Sequence, residues 1–233
     1  MSLKIELSIF RRTLERAINA VFTLKFPGSA RYWDLRYRLG GTSGAGSYGD
    51  DMAYKSKFLN DFLEENRVTS VVDFGCGDGN QLRDLNLQHY LGFDVSAVAV
   101  DRCSAIYSGD PHKEFRRVAE YGGEKAEVAM SLDVIYHLVE DTVFDDYLAR
   151  LFLAAERYVV IYASNDDYRP IHQARHVRHR AFVDIALSRF PEFGLISTPL
   201  RPQTLGGPAQ GRASFFVFEK NVEANTAKQD SLA

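Results

Sequence analysis

The stretch Val71-Val72-Asp73-Phe74-Gly75-Cys76-Gly77-Asp78-Gly79-Asn80 constrains this chain more than any other. Its first half is apolar and β-branched, the composition of a buried strand. Three glycines at alternate positions follow, and a chain that turns there has no Cβ to hold a ligand away from its backbone N–H groups. Asp73 sets a carboxylate beside the turn, and Gln81-Leu82-Arg83-Asp84-Leu85 reads as a short helix. The next strand, His89-Tyr90-Leu91-Gly92-Phe93-Asp94, ends in a second acid 21 positions after Asp73. An acid about 20 residues past such a turn, at the tip of the neighbouring strand, suits the paired hydroxyls of a nucleoside ribose. The competing reading is a turn built for packing, with Asp94 as a helix N-cap.

Beyond Ser70, short apolar runs alternate with helical segments, which predicts βαβ units and a mostly parallel sheet. Strands are expected at 70–74, 90–94, 113–118, 126–132 and 157–163, with an antiparallel pair at 193–198 and 213–219 joined by a Pro/Gly-rich stretch. The clearest helix spans about 141–156, where Val143, Phe144, Tyr147, Leu148, Leu151, Phe152 and Ala155 form an apolar stripe. The segment from Asn165 to Arg180 reads as a loop entering a helix that runs to about Arg189. Upstream, residues 3–24 form an amphipathic pattern, Arg31 to Arg38 is rich in aromatics and arginine, and a glycine-rich loop runs from Gly40 to Asp50. A helix is expected from about Asp51 to Asn66. The domain division that follows is an N-terminal helical extension with a glycine-rich lid or linker over 1–49, an α/β domain over 50–220, and a flexible tail over 221–233.

Position 80 is Asn, so the turn reads as an acid followed by GxGxG, not the GxGxxG of dinucleotide sites. It resembles the first motif of the class I S-adenosylmethionine (SAM)-dependent methyltransferases. Gly92-Phe93-Asp94-Val95-Ser96 resembles their second motif and Ala126 to Leu138 their fourth. The resemblance covers residues 68–165 and implies a Rossmann-like, doubly wound, mostly parallel seven-stranded sheet with an antiparallel C-terminal pair. It implies SAM as cofactor, with Gly75, Cys76, Gly77 and Gly79 beside Asp73 lining its methionine end, Asp94 on the ribose and Val95 on the adenine. Glu120 is the nearest candidate for an acid near the adenine amino group. Ser131, Leu132 and Asp133 fall at the end of the fourth strand, beside the transferred methyl group.

For catalysis, His137 follows the fourth strand and is the first general-base candidate, its other role being packing. His176 is the second, within His172, Arg175, His176, Arg178 and His179. If helical, His172 and His176 share a face. That cluster reads as a wall recognising an anionic or hydroxyl-rich acceptor, as a solvated basic face, or as a metal site, the last without a carboxylate at motif-like spacing. The glycine-rich loop is read as a lid with Tyr48 in contact, or as a linker.

Composition bounds the partners. Net charge is −3, with 45% hydrophobic and 25% charged residues, so an ordinary core is affordable and no polynucleotide-binding patch is expected. Residues 1–40 carry eight Lys/Arg against three acids, so the first helix packs on the core or on a second subunit, or lies on a membrane surface. The cysteines, Cys76 and Cys103, suggest no structural disulfide, and no apolar run predicts a membrane span or signal peptide, which fits a cytoplasmic protein. The resulting expectation is SAM-dependent O-methylation of a small molecule or glycan. The alternatives are N-methylation of a metabolite or protein, a catalytically silent cofactor-binding module, and an NAD-dependent oxidoreductase that Asn80 disfavours.

Overall fold

The computed structural model describes residues 26–198 and 212–221. The amphipathic pattern at 3–24, most of the Pro/Gly-rich connection and the tail beyond 221 lie outside the described residues. Seven strands form one sheet: β1 (Ser70–Phe74), β2 (His89–Asp94), β3 (Lys113–Arg117), β4 (Ala126–Leu132), β5 (Ala155–Ala163), β6 (Phe193–Ser197) and β7 (Ser214–Lys220). Their spatial order is β3-β2-β1-β4-β5-β7-β6. The first five strands are parallel, and β7 runs antiparallel to both β5 and β6. This is the expected sheet.

Helices cover both faces: α1 (Ser29–Arg38), α2 (Gly49–Glu65), α3 (Ala97–Ile106), α4 (Asp141–Ala154) and α5 (Phe182–Arg189). Neighbouring strand residues point to opposite sides, so Val71 packs with Leu59, Leu63 and Val100 while Val72 packs with Leu148, Leu151 and Phe152. Both sets are buried, which is why the strands read as continuous apolar runs. Phe152 shows how the second layer closes. It stacks on Phe190 at 4.4 Å and meets Phe193 and Phe218 edge-on at 5.1 and 5.2 Å. No described helix is long and apolar enough to cross a membrane.

β1 pairs with β2 on one side and β4 on the other. The chain therefore leaves this centre in two directions, and a crevice opens at the carboxyl ends of β1 and β4, as in other doubly wound sheets. Two elements differ from expectation. Residues 164–181 are not helical, and α5 begins only at Phe182. That stretch has no apolar stripe, contains Pro170, and spends its polar groups on tertiary bonds such as Arg178 N–H to the Tyr136 carbonyl at 2.7 Å. The histidines therefore share no helical face. The second difference is α1, a ten-residue helix where the sequence showed only an aromatic and arginine-rich run. Gly40 at φ +79° ends it, with Gly41 N–H reaching back to the Arg36 carbonyl at 2.8 Å.

Replacing Phe152 with Ala should cost about 3–5 kcal/mol of unfolding free energy in a urea titration, the usual loss for a fully buried aromatic ring. A loss under about 1 kcal/mol would mean that this layer is not the core it appears from its packing.

Candidate active site

The crevice at the ends of β1 and β4 encloses, with the solvent at its mouth, about 960 Å³. Asp73, Gly75, Cys76, Gly77, Asp94, Val95, Asp133 and His137 all line it. The two acids singled out by spacing thus face one cavity.

The turn itself differs from the expectation that its amides face a ligand. The Gly75 and Cys76 N–H groups both donate to the Phe93 carbonyl, at 2.7 and 3.1 Å, and Gly77 N–H donates to Asp94 Oδ2 at 3.1 Å. The Asp78 N–H goes to Ser43 Oγ at 2.9 Å. The glycines are required for a related reason. Gly75 has φ +108°, and a Cβ there would meet Val134 Cγ2 at 2.3 Å. Gly79, at φ +75°, does not line the crevice but lets Cys103 and Tyr107 close behind the turn.

What the turn leaves exposed to the cavity is acidic. Asp73 is buried, accepts a hydrogen bond from Tyr90 Oη at 2.7 Å through Oδ2, and has no partner at Oδ1. Burial raises its pKa to about 7 against the opposing pull of the Tyr90 hydroxyl. Burial likewise lifts Asp94 to about 6, although the Ser96 and Gly77 amides hold its charged form. Asp78 sits below the usual carboxylate range because Tyr48, Ser43 and Asn80 donate to it and together outweigh its desolvation.

At the end of β4, Asp133 adopts φ +61°. Its carboxylate pairs with Lys55, whose side chain is fully buried on α2, and accepts from Tyr136 Oη at 2.6 Å. Ser131 is buried beneath and hydrogen-bonds Tyr147 Oη at 2.6 Å. His137 stands beside them. Its Nδ1 lies 3.0 Å from the His176 carbonyl oxygen, which can only accept, so Nδ1 carries the proton and Nε2 the lone pair. Burial lowers its pKa to about 3 and keeps the ring neutral.

The remaining sequence candidates are scattered. Glu120 turns back to accept the Arg117 N–H at 2.9 Å and does not reach the cavity. His176 lies behind His137, stacked between it at 5.4 Å and Tyr32 at 4.3 Å. His172 and Arg175 are exposed, Arg178 is ion-paired with Asp141 at 2.8 Å, and His179 Nδ1 meets Ser164 Oγ at 2.6 Å. No group of three or more His, Cys, Asp or Glu among the described residues could hold a metal ion.

Of the roof, sequence reasoning read the glycine-rich loop as a lid or a linker and missed the helix. α1 brings Ser29, Ala30, Trp33 and Tyr37 to the cavity wall. Its first turn is pinned by Glu140, which accepts from Ser29 N–H at 2.9 Å and Ser29 Oγ at 2.6 Å. Farther along, Ser96 Oγ donates to Asp34 at 3.0 Å. The following loop is tied to the glycine turn through Asp78, which accepts from Ser43 N–H at 2.9 Å and Tyr48 Oη at 2.7 Å. The aromatic density of 31–38 was the available signal, but it carried no spacing that named a partner.

No family model and no curated protein sequence matches this chain. Solved structures do. It superposes on magnesium protoporphyrin IX methyltransferase from Synechocystis PCC 6803 with bound SAM at TM-score 0.57 and 15% identity, over 87% of this chain and 97% of that one. The N-methyltransferase NodS from Bradyrhizobium japonicum WM9 gives TM-score 0.57 at 14% identity, over 74% and 98%. A SAM-dependent methyltransferase from Anabaena variabilis gives 0.58 at 13%, over 82% and 93%. The chain therefore has the fold of the class I SAM-dependent methyltransferases.

Gly75→Ala should lower stability by about 1–3 kcal/mol, since the residue would be held in a backbone region closed to side chains. A melting temperature equal to that of the parent chain would show that the turn relaxes freely.

Proposed function

We propose that this protein is a SAM-dependent methyltransferase acting on an oxygen of a small molecule or glycan. The observation that carries the cofactor is the balance of polar groups in the crevice. A pyrophosphate needs free amides, and the amides of Gly75, Cys76 and Gly77 are already bonded within the turn. The charged side chains lining the cavity are all carboxylates, set among neutral groups such as Ser43, Ser47 and the Gln81 amide, and carboxylates suit a ligand carrying an ammonium, a sulfonium and ribose hydroxyls. Asp73 would receive the ammonium at its unpartnered Oδ1, and Asp94, at the tip of β2, the ribose.

When bound, SAM supplies an electrophilic methyl group on a sulfonium centre. The chain's own contribution is alignment and exclusion of water. α1 and the 43–48 loop roof the crevice, the loop serving as a lid hinged on Gly40, Gly44 and Gly49, and the Lys55–Asp133–Tyr136 network fixes the floor at the end of β4. His137 is neutral, so its Nε2 lone pair is free to accept a hydrogen bond from an acceptor hydroxyl and orient it. With so low a pKa it does not deprotonate the hydroxyl beforehand; as the S–CH3 bond breaks and the O–CH3 bond forms, the oxygen becomes strongly acidic and its proton passes to Nε2 and on to solvent, leaving a neutral thioether. The reading of His172, Arg175 and Arg178 as an acceptor wall loses support from their positions, whereas His176 supports His137 by stacking.

Calorimetry with SAM and with NAD tests the assignment. SAM should bind and NAD should not, and Asp94→Ala should weaken SAM binding by about 1.5–3 kcal/mol, the range for hydrogen bonds to a charged group. Preferential binding of NAD would overturn the proposal.

A pH effect follows from Asp73. An arriving cation favours the charged carboxylate, so a group with pKa near 7 in the free protein gives up its proton on binding. Affinity should therefore rise with pH up to about 7 and then level. At about pH 6.5 the binding enthalpy should differ between buffers of different ionisation enthalpy, reporting proton release. A buffer-independent enthalpy would remove Asp73 from the ammonium role.

A further inference from the structure

The crevice has a second wall that the cofactor reading does not use. Ala30 and Trp33 come to it from α1, Val134, His137 and Leu138 from the segment after β4, and Val143 from the first turn of α4. Trp33 meets the His137 ring edge-on at 4.8 Å, and the Tyr32–His176–His137 stack backs it. The surface is aromatic and aliphatic. Its polar contributions are the neutral imidazole of His137 and the indole N–H of Trp33.

The charges around it matter equally. Four carboxylates line the crevice, Asp73, Asp78, Asp94 and Asp133, and no lysine or arginine is among the described residues that line it. Lys55 is consumed by Asp133. Arg178 and Arg180 both turn to Asp141 outside the cavity, at 2.8 and 3.0 Å. An anionic acceptor would have to shed water at a wall with no cation to receive it, an arrangement that costs far more than it returns. A sugar would present hydroxyls to a wall that offers few partners and would leave them unsatisfied.

Resting on the methyltransferase reading above and narrowing its acceptor from small molecule or glycan to the former, we infer that the acceptor is an uncharged, flat, apolar molecule bearing a hydroxyl, of the phenol or naphthol type, seated against Trp33 and His137. The ring lies against Trp33, Leu138 and Val143, and the hydroxyl donates to His137 Nε2. Selectivity arises from exclusion: the acceptor wall holds no cation to receive an anion, and its aromatic surface leaves a polyol's hydroxyls unpaired.

The test uses the full chain, S-adenosylhomocysteine and three probes of contrasting chemistry: 2-naphthol, 2-naphthoate and methyl glucoside. Calorimetry first measures S-adenosylhomocysteine alone. Failure to bind it would overturn the methyltransferase reading and this inference with it. With the site saturated, 2-naphthol should bind at least about tenfold more tightly than 2-naphthoate at neutral pH, the scale expected for desolvating a carboxylate without a partner. Methyl glucoside should give no heat. Binding of S-adenosylhomocysteine together with equal or tighter binding of naphthoate or glucoside would overturn the acceptor class alone. Val143 is 38% exposed, so Val143→Lys is tolerated by the fold and adds a cation to the wall. It should narrow the naphthol-to-naphthoate ratio by about fivefold. A ratio unchanged in a variant that melts like the parent would show that wall charge does not select, and would also overturn the inference.

Discussion

The site depends on one tie between strands: the turn after β1 is bonded, amide by amide, to the tip of β2. Phe93 supplies a carbonyl to two successive N–H groups and Asp94 a carboxylate to a third. Because the ladder between β1 and β2 is in register up to Phe74 and Phe93, the turn emerges directly against these acceptors. The bonds fix Asp73 and Asp94 on one cavity and at the same time use up the donors that an anion would need. Geometry and ligand charge are thus set by the same few contacts.

This arrangement concentrates negative charge where burial disfavours it. Asp73 and Asp94 are both lifted well above the ordinary carboxylate range by desolvation. A protein selected for stability alone would gain by replacing such groups with apolar ones. Their retention at the mouth of a doubly wound sheet, together with an unpartnered buried oxygen on Asp73, marks a place where stability has been traded for binding. Asp133 differs: Lys55 and Tyr136 neutralise and hold it, so it shapes the floor without adding to the free charge.

Most of the core was legible because its signals are local. β-branched runs mark β1, β4 and β5, an apolar stripe marks α4, and the spacing of Asp73 and Asp94 places both at strand tips; these features depend on periodicity and the chain carries them plainly. Three features were not legible. α1 has arginine on several faces and sets Tyr32 and Trp33 against His176 and His137, contacts more than 100 positions away in sequence. Glu120 looked free for a ligand but closes its own turn, a competition between cap and site that spacing does not resolve. The His/Arg segment before α5 suggested a helix, yet Pro170 and its tertiary bonds give an irregular path with turns at 171–172 and 175–176, so His172 and His176 share no helical face.

The roof poses a problem of access that its own bonds resolve. α1 is held at its start by two bonds from Ser29 to the Glu140 carboxylate and a third from Val139 N–H to Ser29 Oγ at 2.9 Å. Its ring contacts with His137 and His176 lie in the same first half. The loop after α1 is held by hydrogen bonds, from Ser43 and Tyr48 to Asp78, from Asn80 to the Ser47 carbonyl at 2.7 Å and from Arg102 to the Gly41 carbonyl at 3.2 Å, and it runs through Gly40, Gly44 and Gly49, all at positive φ. Releasing the loop breaks hydrogen bonds that water can replace, whereas lifting the helix also pulls Tyr32 and Trp33 away from His176 and His137. The loop touches the glycine turn, whereas the helix forms the aromatic wall. Opening at the loop would therefore expose the cofactor end of the crevice while the acceptor wall stays assembled, which gives the two ligands separate routes into one cavity.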